Sequence, residues 1–167
     1  DLELTDRMER DIALWDKLKV YQECGIVYQF GEETCPVDAG VVCDFLKLDE
    51  NGDFVLDASG NLCTDEEKVY AFVDRLCDEY DTVGKARRFQ ATRGDIVTVE
   101  GGIYGNQIDR EAEKEYLLNA FLARRKEIHE PVYKQMAARQ GKDDIGDTYI
   151  EVDMTNQMLY YYEKGDL

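Results

Sequence analysis

The side chains of this sequence best suited to metal binding or nucleophilic chemistry are its thiols and its single imidazole. The chain has five cysteines and one histidine. They are Cys24, Cys35, Cys43, Cys63, Cys77 and His129. No two cysteines form a C-x-x-C pair, and a zinc site needs ligands in such close pairs. We therefore predict no metal site and no other cofactor.

The odd number of cysteines leaves at least one thiol free, unless one of them pairs between chains. Cys77 shares a helix face with apolar residues such as Val73 and Leu76, which predicts a small core residue. A disulfide among the other four cysteines remains open, and the sequence does not decide its connectivity.

Acidic residues offer two further kinds of chemistry. Asp49, Asn51 and Asp53 have the spacing that begins a calcium loop, but Phe54 stands where an EF-hand needs glycine and Gly60 where it needs glutamate. We interpret this segment as an Asn-Gly turn. A carboxylate-pair glycosidase is a third functional hypothesis, but with 37 acidic residues such pairs can be drawn anywhere and give it no support.

The charge balance excludes some partners. The formal net charge is −17, which argues against nucleic acids and anionic membranes and permits ligands that carry amines. No apolar run approaches the roughly 18 residues that span a bilayer. Because Asp1 is not a natural start, we expect a fragment of a longer protein whose export signal or membrane anchor lies upstream.

The elements that must position any site follow from periodicity. A helix is predicted from about Leu4 to Leu18, on the apolar repeat Leu4, Met8, Ile12, Trp15 and Leu18, with Thr5 and Asp6 at its start. A strand over 25–31 pairs with 34–37, and a short helix covers 41–46. The next helix begins at Thr64, which forms a capping box with Glu67, and ends at Tyr80.

The stretch from Tyr80 to Asp109 is the centre of the sequence. Strands over 86–92 and 96–99 flank an Arg-Gly-Asp turn, and three glycines then crowd around Tyr104. Either the chain turns sharply there, or something approaches its backbone closely. Asp109 caps a helix over 110–124, whose last turns hold Arg124, Arg125 and Lys126.

The C-terminal part reads as a separate unit. Residues 131–133 are extended, and 139–146 is the best linker candidate because it is polar and rich in glycine. A β-hairpin follows, with strands over 149–154 and 157–163, and its exposed edges predict pairing with another chain or disorder. The predicted fold class is α+β, with antiparallel strands packed by two to three helices plus this C-terminal hairpin.

Several motifs in this order resemble a known family. They are Tyr80-Asp81-Thr82, Arg88-Phe89, Gly101-Gly102-Ile103-Tyr104-Gly105, Ile108-Asp109 and Pro131-Val132-Tyr133. Together they are similar to the putative peptidoglycan-binding domain found upstream of the catalytic domain in Gram-positive L,D-transpeptidases. The segment from Asp144 to Asp153, followed by Gln157-Met158-Leu159-Tyr160, resembles the junction and first hairpin of that catalytic domain.

The resemblance implies three segments: a peptidoglycan-binding domain over 1–138, a linker over 139–147, and over 148–167 the first hairpin of a truncated catalytic domain. It also implies an extracytoplasmic protein of the cell wall, or one anchored to the membrane by a missing N-terminal segment. The family's catalytic His and Ser-His-Gly-Cys motifs are absent, so we expect no transpeptidase activity from the fragment. The full-length protein is expected to be an L,D-transpeptidase that cross-links stem peptides.

The leading hypothesis is a non-catalytic module that binds or positions peptidoglycan for cross-linking. The candidate ligand-binding residues are Tyr104, Asn106, Gln107, Tyr133, Arg87 and Arg93, with Arg87 or Arg93 contacting a peptide carboxylate. The family commonly has Trp where this chain has Asn106, so stacking on a sugar falls to the tyrosines. The alternative is a structural spacer or lid that packs on the catalytic domain and binds no glycan. Expected partners are peptidoglycan, the missing catalytic domain, and a second chain paired through the hairpin.

Overall fold

The computed structural model describes residues 6–21 and 23–167. Within them the chain forms four helices and nine strands, as follows. The helices are α1 Asp6–Tyr21, α2 Ala39–Asp44, α3 Glu66–Tyr80 and α4 Arg110–Leu122. The strands are β1 Gly25–Phe30, β2 Glu33–Val37, β3 Arg87–Gln90, β4 Ile96–Val99, β5 Gln107–Ile108, β6 Lys126–His129, β7 Tyr133–Gln135, β8 Tyr149–Asp153 and β9 Met158–Tyr162. The α+β prediction is confirmed.

The largest sheet has three strands in the order β2-β1-β6. The β1–β2 pair is antiparallel, as predicted, whereas β1 and β6 run parallel, with Gly25 opposite Lys126. Strand β6 was not predicted, because Lys126–His129 is charged and mostly exposed and carries no alternating apolar pattern. Hydrogen bonding to β1 makes this segment a strand, although its own sequence does not favour one.

The core lies between this sheet and helices α3 and α4. Strand β1 alternates half-buried and buried residues and sends Ile26, Tyr28 and Phe30 inward, each with no exposed surface. The ring of Phe30 stacks on Tyr80 of α3 at a centroid distance of 3.7 Å. The buried face of β1 therefore packs against the apolar stripe of α3. Because Tyr80 is the first residue of the central stretch, this contact joins the sheet to that stretch.

One carboxylate lies inside this core. Glu113 of α4 has no exposed surface. Its Oε2 lies 3.0 Å from Nε2 of His129, and its Oε1 accepts a hydrogen bond of 2.7 Å from the backbone N–H of Val132. The ring of His129 stacks on Tyr116 at 3.4 Å. The only histidine of the chain therefore partners a buried acid and ties β6 to α4.

The helix ends agree with the sequence prediction at one position and differ from it at two. Asp109 caps α4 as predicted, because its side chain accepts from the N–H of Ala112. The cap of α3, however, is Asp65 and not Thr64, since Asp65 accepts from Lys68 N. Helix α4 ends at Leu122, and Arg124 has φ of 54°. The prediction of a basic last turn is therefore wrong. Arg124 and Arg125 follow the helix, and Lys126 belongs to β6.

Helix α1 is confirmed over its described part, and Leu4 and Thr5 lie outside the described residues. Three residues of its predicted apolar stripe do not face the core, since Met8, Ile12 and Trp15 are each about half exposed. Leu18 of that stripe packs against the core, together with Leu14, which the repeat did not include. The repeat therefore indicated the helix correctly and most of its buried face wrongly. Among the described helices, none is long and apolar enough to cross a membrane.

The acidic segment after α2 consists of turns. Oδ1 of Asp49 accepts hydrogen bonds from the N–H groups of Asn51 and Asp53. Asp57 does the same for Ser59 and Asn61 eight residues later. These carboxylates fold back onto their own backbone, as Asx turns do. Within the described residues, no group of three or more potential ligands is placed to hold a metal ion.

The hairpin β8–β9 is confirmed, and it rests on the hairpin β3–β4. Phe89 and Tyr149 meet edge to face at 5.4 Å. The Glu151 carboxylate accepts from the backbone N–H of Thr92 at 3.0 Å, and Arg93 lies 3.6 Å from Asp153. Over the described chain each hairpin remains a two-stranded sheet. Pairing of the C-terminal hairpin with another chain stays a prediction.

Candidate functional site

The candidate site is built on two loops that lie against each other, 82–85 and 101–106. The backbone N–H of Thr82 donates to the carbonyl of Asn106 at 2.9 Å, and that of Gly84 donates to Gly102 at 3.0 Å. The hydroxyl of Thr82 accepts from the N–H of Asn106 at 2.7 Å. The end of α3 and the start of β5 fix these loops from both sides.

Two of the glycines are required by this close approach. A Cβ on Gly101 would lie 2.0 Å from the carbonyl oxygen of Gly84. Gly105 has φ of 142°, and a Cβ there would lie 2.5 Å from the N–H nitrogen of Val83. Gly102 has no such neighbour. Both explanations that the sequence left open therefore apply, the sharp turn at Gly105 and the backbone contact at Gly101.

Asn106 is completely buried at the base of the loop. Its side-chain nitrogen donates to the carbonyl of Arg139 at 2.7 Å, and its side-chain oxygen accepts from the N–H of Ala137 at 2.8 Å. A second, longer bond reaches the carbonyl of Gly141. The amide is therefore occupied by three backbone groups of the segment 137–141, which it fastens to the central loops.

Arg87 and Asp144 form an ion pair beside this amide. Nε of Arg87 donates to one carboxylate oxygen at 2.8 Å and a terminal nitrogen donates to the other at 2.5 Å. Thr82 donates its hydroxyl to the same carboxylate at 2.5 Å. The side chain of Asp144 is only 1% exposed. Burial by itself would raise the pKa of Asp144, but the bonds from Arg87 and Thr82 outweigh it and lower that pKa.

Replacing Asp144 with asparagine is expected to destabilise the fold by about 2 kcal/mol near neutral pH, because the bidentate pair is lost and Arg87 keeps no counter-charge. Since the pKa of Asp144 is depressed by folding, its stabilisation is present above the ordinary value of 3.8 and is lost as the pH falls through the depressed value. Thermal unfolding across acid pH should therefore show the two proteins converging. Asp143→Asn, at a carboxylate 80% exposed, is the control and should change little. A gap between Asp144→Asn and wild type that stays constant to strong acid would contradict this assignment.

The tip of the loop faces solvent. Ile103 is 91% exposed and Tyr104 is 44% exposed. The Tyr104 hydroxyl donates to the carbonyl of Asp144 at 2.8 Å and accepts from the N–H of Ala138, and Arg87 lies 5.7 Å from its ring centre. Gln107 is exposed on β5, beside Gln135, whose amide donates to the carbonyls of Ile103 and Gly105. The tip is therefore exposed to solvent. Hydrogen bonds nevertheless fix its backbone carbonyls and the hydroxyl of Tyr104.

The structure places the six residues predicted from the sequence in four settings. Tyr104 and Gln107 reach the surface at the tip, and Arg87 and Asn106 lie beneath it. Tyr133 is half-buried on β7, and its hydroxyl has no hydrogen-bond partner in the described structure. Burial raises its pKa to about 12. Arg93 lies apart, in the β3–β4 turn, where its Nε is 2.9 Å from Asp95.

Two of the thiols, Cys24 and Cys77, are poorly placed for nucleophilic chemistry. All five cysteines are free, and Cys24 and Cys77 are buried. Burial raises the pKa of Cys77 to about 12 and raises that of Cys24 as well. A protonated, inaccessible thiol is the opposite of an activated one. His129 meanwhile faces Glu113 and not a cysteine.

Sequence reasoning missed Thr82, Gln135 and Asp144 as parts of the site. Asp144 stood in the segment interpreted as a linker, where a polar run containing glycine gives no sign of burial. That segment is tied to the domain by Asp144, by Gln140 and by Lys142, which donates to Glu79 at 2.7 Å. The one available signal was the Tyr80-Asp81-Thr82 motif, in which Thr82 is the residue that binds both Asn106 and Asp144.

The chain is similar to one protein family and to two solved structures. Residues 53–129 match the family described as "Putative peptidoglycan binding domain". A crystal structure of a mutant Enterococcus faecium L,D-transpeptidase is 27% identical with a TM-score of 0.69, and covers 91% of this chain. The Ldtfm-avibactam carbamoyl enzyme is 26% identical with a TM-score of 0.69, and covers 93%. This chain spans 57% of the length of either structure.

No curated protein matches the chain. The family match contains α3, both central loops, α4 and β6, and it ends at the last residue of β6. The likeness to the two solved structures extends over nine-tenths of the chain, well beyond those limits. Residues 53–129 are therefore similar to the putative peptidoglycan-binding family, and the fold of the chain is similar to that of two L,D-transpeptidase structures.

Proposed function

We propose that this chain is a non-catalytic module of a cell-wall L,D-transpeptidase, and that it binds or positions peptidoglycan for cross-linking. The family match and the two L,D-transpeptidase structures support an accessory role at the cell wall. In this proposal residues 1–138 form the binding domain, 139–147 connect it, and 148–167 are the first hairpin of a catalytic domain in a longer, extracytoplasmic protein.

The observation that carries the proposal is an exposed loop tip, formed by Ile103 and Tyr104, whose supporting residues are largely buried and hydrogen-bonded. An isoleucine that is 91% exposed beside a half-exposed tyrosine presents apolar and aromatic surface to solvent. Beneath it, the buried amide of Asn106 and the Arg87–Asp144 pair hold the backbone in place. A rigid loop loses little conformational entropy when it binds, and a tyrosine ring can pack on the face of a sugar.

The six predicted residues divide between contact and support in this proposal. Tyr104 and Gln107 contact the ligand, together with Ile103. Arg87 and Asn106 orient the loop, because their polar groups are already occupied by the protein. Tyr133 packs beneath β5 on the core. Arg93 belongs to a different surface, beside the C-terminal hairpin.

A pull-down with purified cell-wall sacculi tests the proposal. Ile103→Ser should reduce the bound fraction about ten-fold, as expected when an isoleucine side chain no longer becomes buried on binding. Ile128→Ser, at an isoleucine 69% exposed on β6, is the matched control and should bind like wild type. Since neither side chain is packed in the fold, both variants should unfold at the wild-type temperature. Retention of wild type no greater than that of a similarly acidic control protein would overturn the proposal.

The alternative function is a spacer or lid that packs on a catalytic domain and binds no glycan. The contacts between the two hairpins favour it, because Thr92 donates its hydroxyl to Glu151 at 2.5 Å and its side-chain oxygen lies 2.9 Å from the Tyr162 hydroxyl. These bonds hold the C-terminal hairpin in one orientation. A chain that fails to bind sacculi and still holds this hairpin rigidly would support the spacer.

A further inference from the structure

A cleft of about 440 Å³ lies between the hairpins β3–β4 and β8–β9. One wall consists of Phe89, Val97 and Val99, which share one face of β3–β4. The other wall is formed by every residue from Tyr149 to Thr155. Because neighbouring residues of a strand point to opposite faces, a surface lined by all of them follows the edge of the strand.

That edge of β8 has no partner strand in the described chain, since β8 pairs only with β9. It therefore offers a row of backbone N–H and C=O groups beside an apolar wall. Such an edge accepts an added strand, with main-chain hydrogen bonds on one side and side-chain pockets on the other.

The charged groups at the cleft are already occupied. Glu151 accepts three hydrogen bonds from Thr92, and Arg93 lies against Asp95 and Asp153. No unpaired charge along this part of the described structure is aimed at an incoming ligand. An apolar polypeptide strand fits this surface better than a charged peptidoglycan stem peptide does.

The outer face of the hairpin extends the apolar surface. Ile150 and Val152 of β8 lie opposite Tyr161 and Leu159 of β9, and all four are more than half exposed. A strand added to β8 would place alternate side chains on this face and on the Val97–Val99 wall. Exposed apolar surface on both sides of one strand edge is typical of a protein–protein interface.

We propose that the cleft receives an extended strand from an L,D-transpeptidase catalytic domain, which pairs with the free edge of β8. This rests on the proposed function. The occupant is chosen because the matching L,D-transpeptidase chains contain a further part that this chain does not span. The hairpin β3–β4 of the binding domain then forms one wall of the joint between the two domains.

The test uses this chain with overlapping 12-residue synthetic peptides, which together cover the part of the Enterococcus faecium L,D-transpeptidase that the chain does not match. At least one peptide should bind and should slow hydrogen exchange at the β8 amides that face away from β9. Val99→Lys should weaken that peptide about ten-fold or more. Ile96→Lys lies on the same strand, does not line the cleft, and should change the affinity less than about two-fold.

Other results would overturn the inference. They are exchange protection along the outer edge of β9, protection by a defined muropeptide at β8, a doubled mass in light scattering with protection at either edge, or no peptide that protects β8. The sacculus pull-down separates this result from the proposed function. Ile103→Ser should reduce retention on sacculi about ten-fold without altering peptide binding, and Val99→Lys should weaken peptide binding without altering retention.

Discussion

Replacing His129 with leucine is expected to destabilise the domain by about 3 kcal/mol. Glu113 has no exposed surface, and the imidazole of His129 lies within hydrogen-bond distance of both its carboxylate oxygens. Without the imidazole, a buried carboxylate keeps one backbone N–H, from Val132, and must remain poorly solvated or take up a proton. Urea denaturation followed by circular dichroism measures the loss.

The double variant Glu113→Leu/His129→Leu separates the lost partner from the lost ring packing against Tyr116. Removing both polar groups leaves no stranded charge, so the double variant should be more stable than His129→Leu alone. Tyr116→Leu reports the stacking contribution by itself. If the effects of Glu113→Leu and His129→Leu simply add, the buried pair is not coupled and the interpretation fails.

The substitution Gly101→Ala is expected to cost about 3 kcal/mol, because the new methyl would overlap the carbonyl of Gly84, and the two loops would have to separate. The bond from the N–H of Gly84 to Gly102 would be strained by the same movement. The measurement is the urea midpoint of the variant against wild type.

Gly102→Ala is the matched control, one residue away. No atom lies within 4 Å of the added Cβ, and the φ of Gly102 is not in the left-handed region. We expect a change of less than about 0.5 kcal/mol in either direction. Equal destabilisation by both substitutions would mean that this loop tolerates no side chain at all and would remove the special role assigned to Gly101.

The sequence predicted the elements that are specified by the pattern of their own residues. Helices α3 and α4 have a repeating apolar stripe with acidic caps, and the three hairpin pairings have alternating strands around turn residues. It did not predict β6, whose residues are charged and exposed and become a strand only against β1. Nor did it predict which face of α1 is buried, since Met8, Ile12 and Trp15 satisfy the same repeat as a buried stripe.

The site shows the same limit. Motif order located the loop, but a turn sequence does not say which of its side chains point inward. Asn106 was predicted as a ligand-binding residue. It is buried, because its amide hydrogen-bonds three backbone groups of a segment about 30 residues later. Asp144 became part of the site through Arg87, 57 residues earlier in the chain. Long-range partners of this kind leave no local pattern.

The parallel pair β1–β6 has a consequence for how the domain is made. Gly25 pairs with Lys126, so about 100 residues must be synthesised before the central strand of the main sheet gains its second neighbour. During translation, β1 and β2 can form a hairpin early, but the far edge of β1 stays open until β6 leaves the ribosome. The domain should therefore complete its sheet late and as one step. A chain interrupted before Lys126 would present that open edge, with Ile26 and Tyr28 behind it, to chaperones and to other nascent chains.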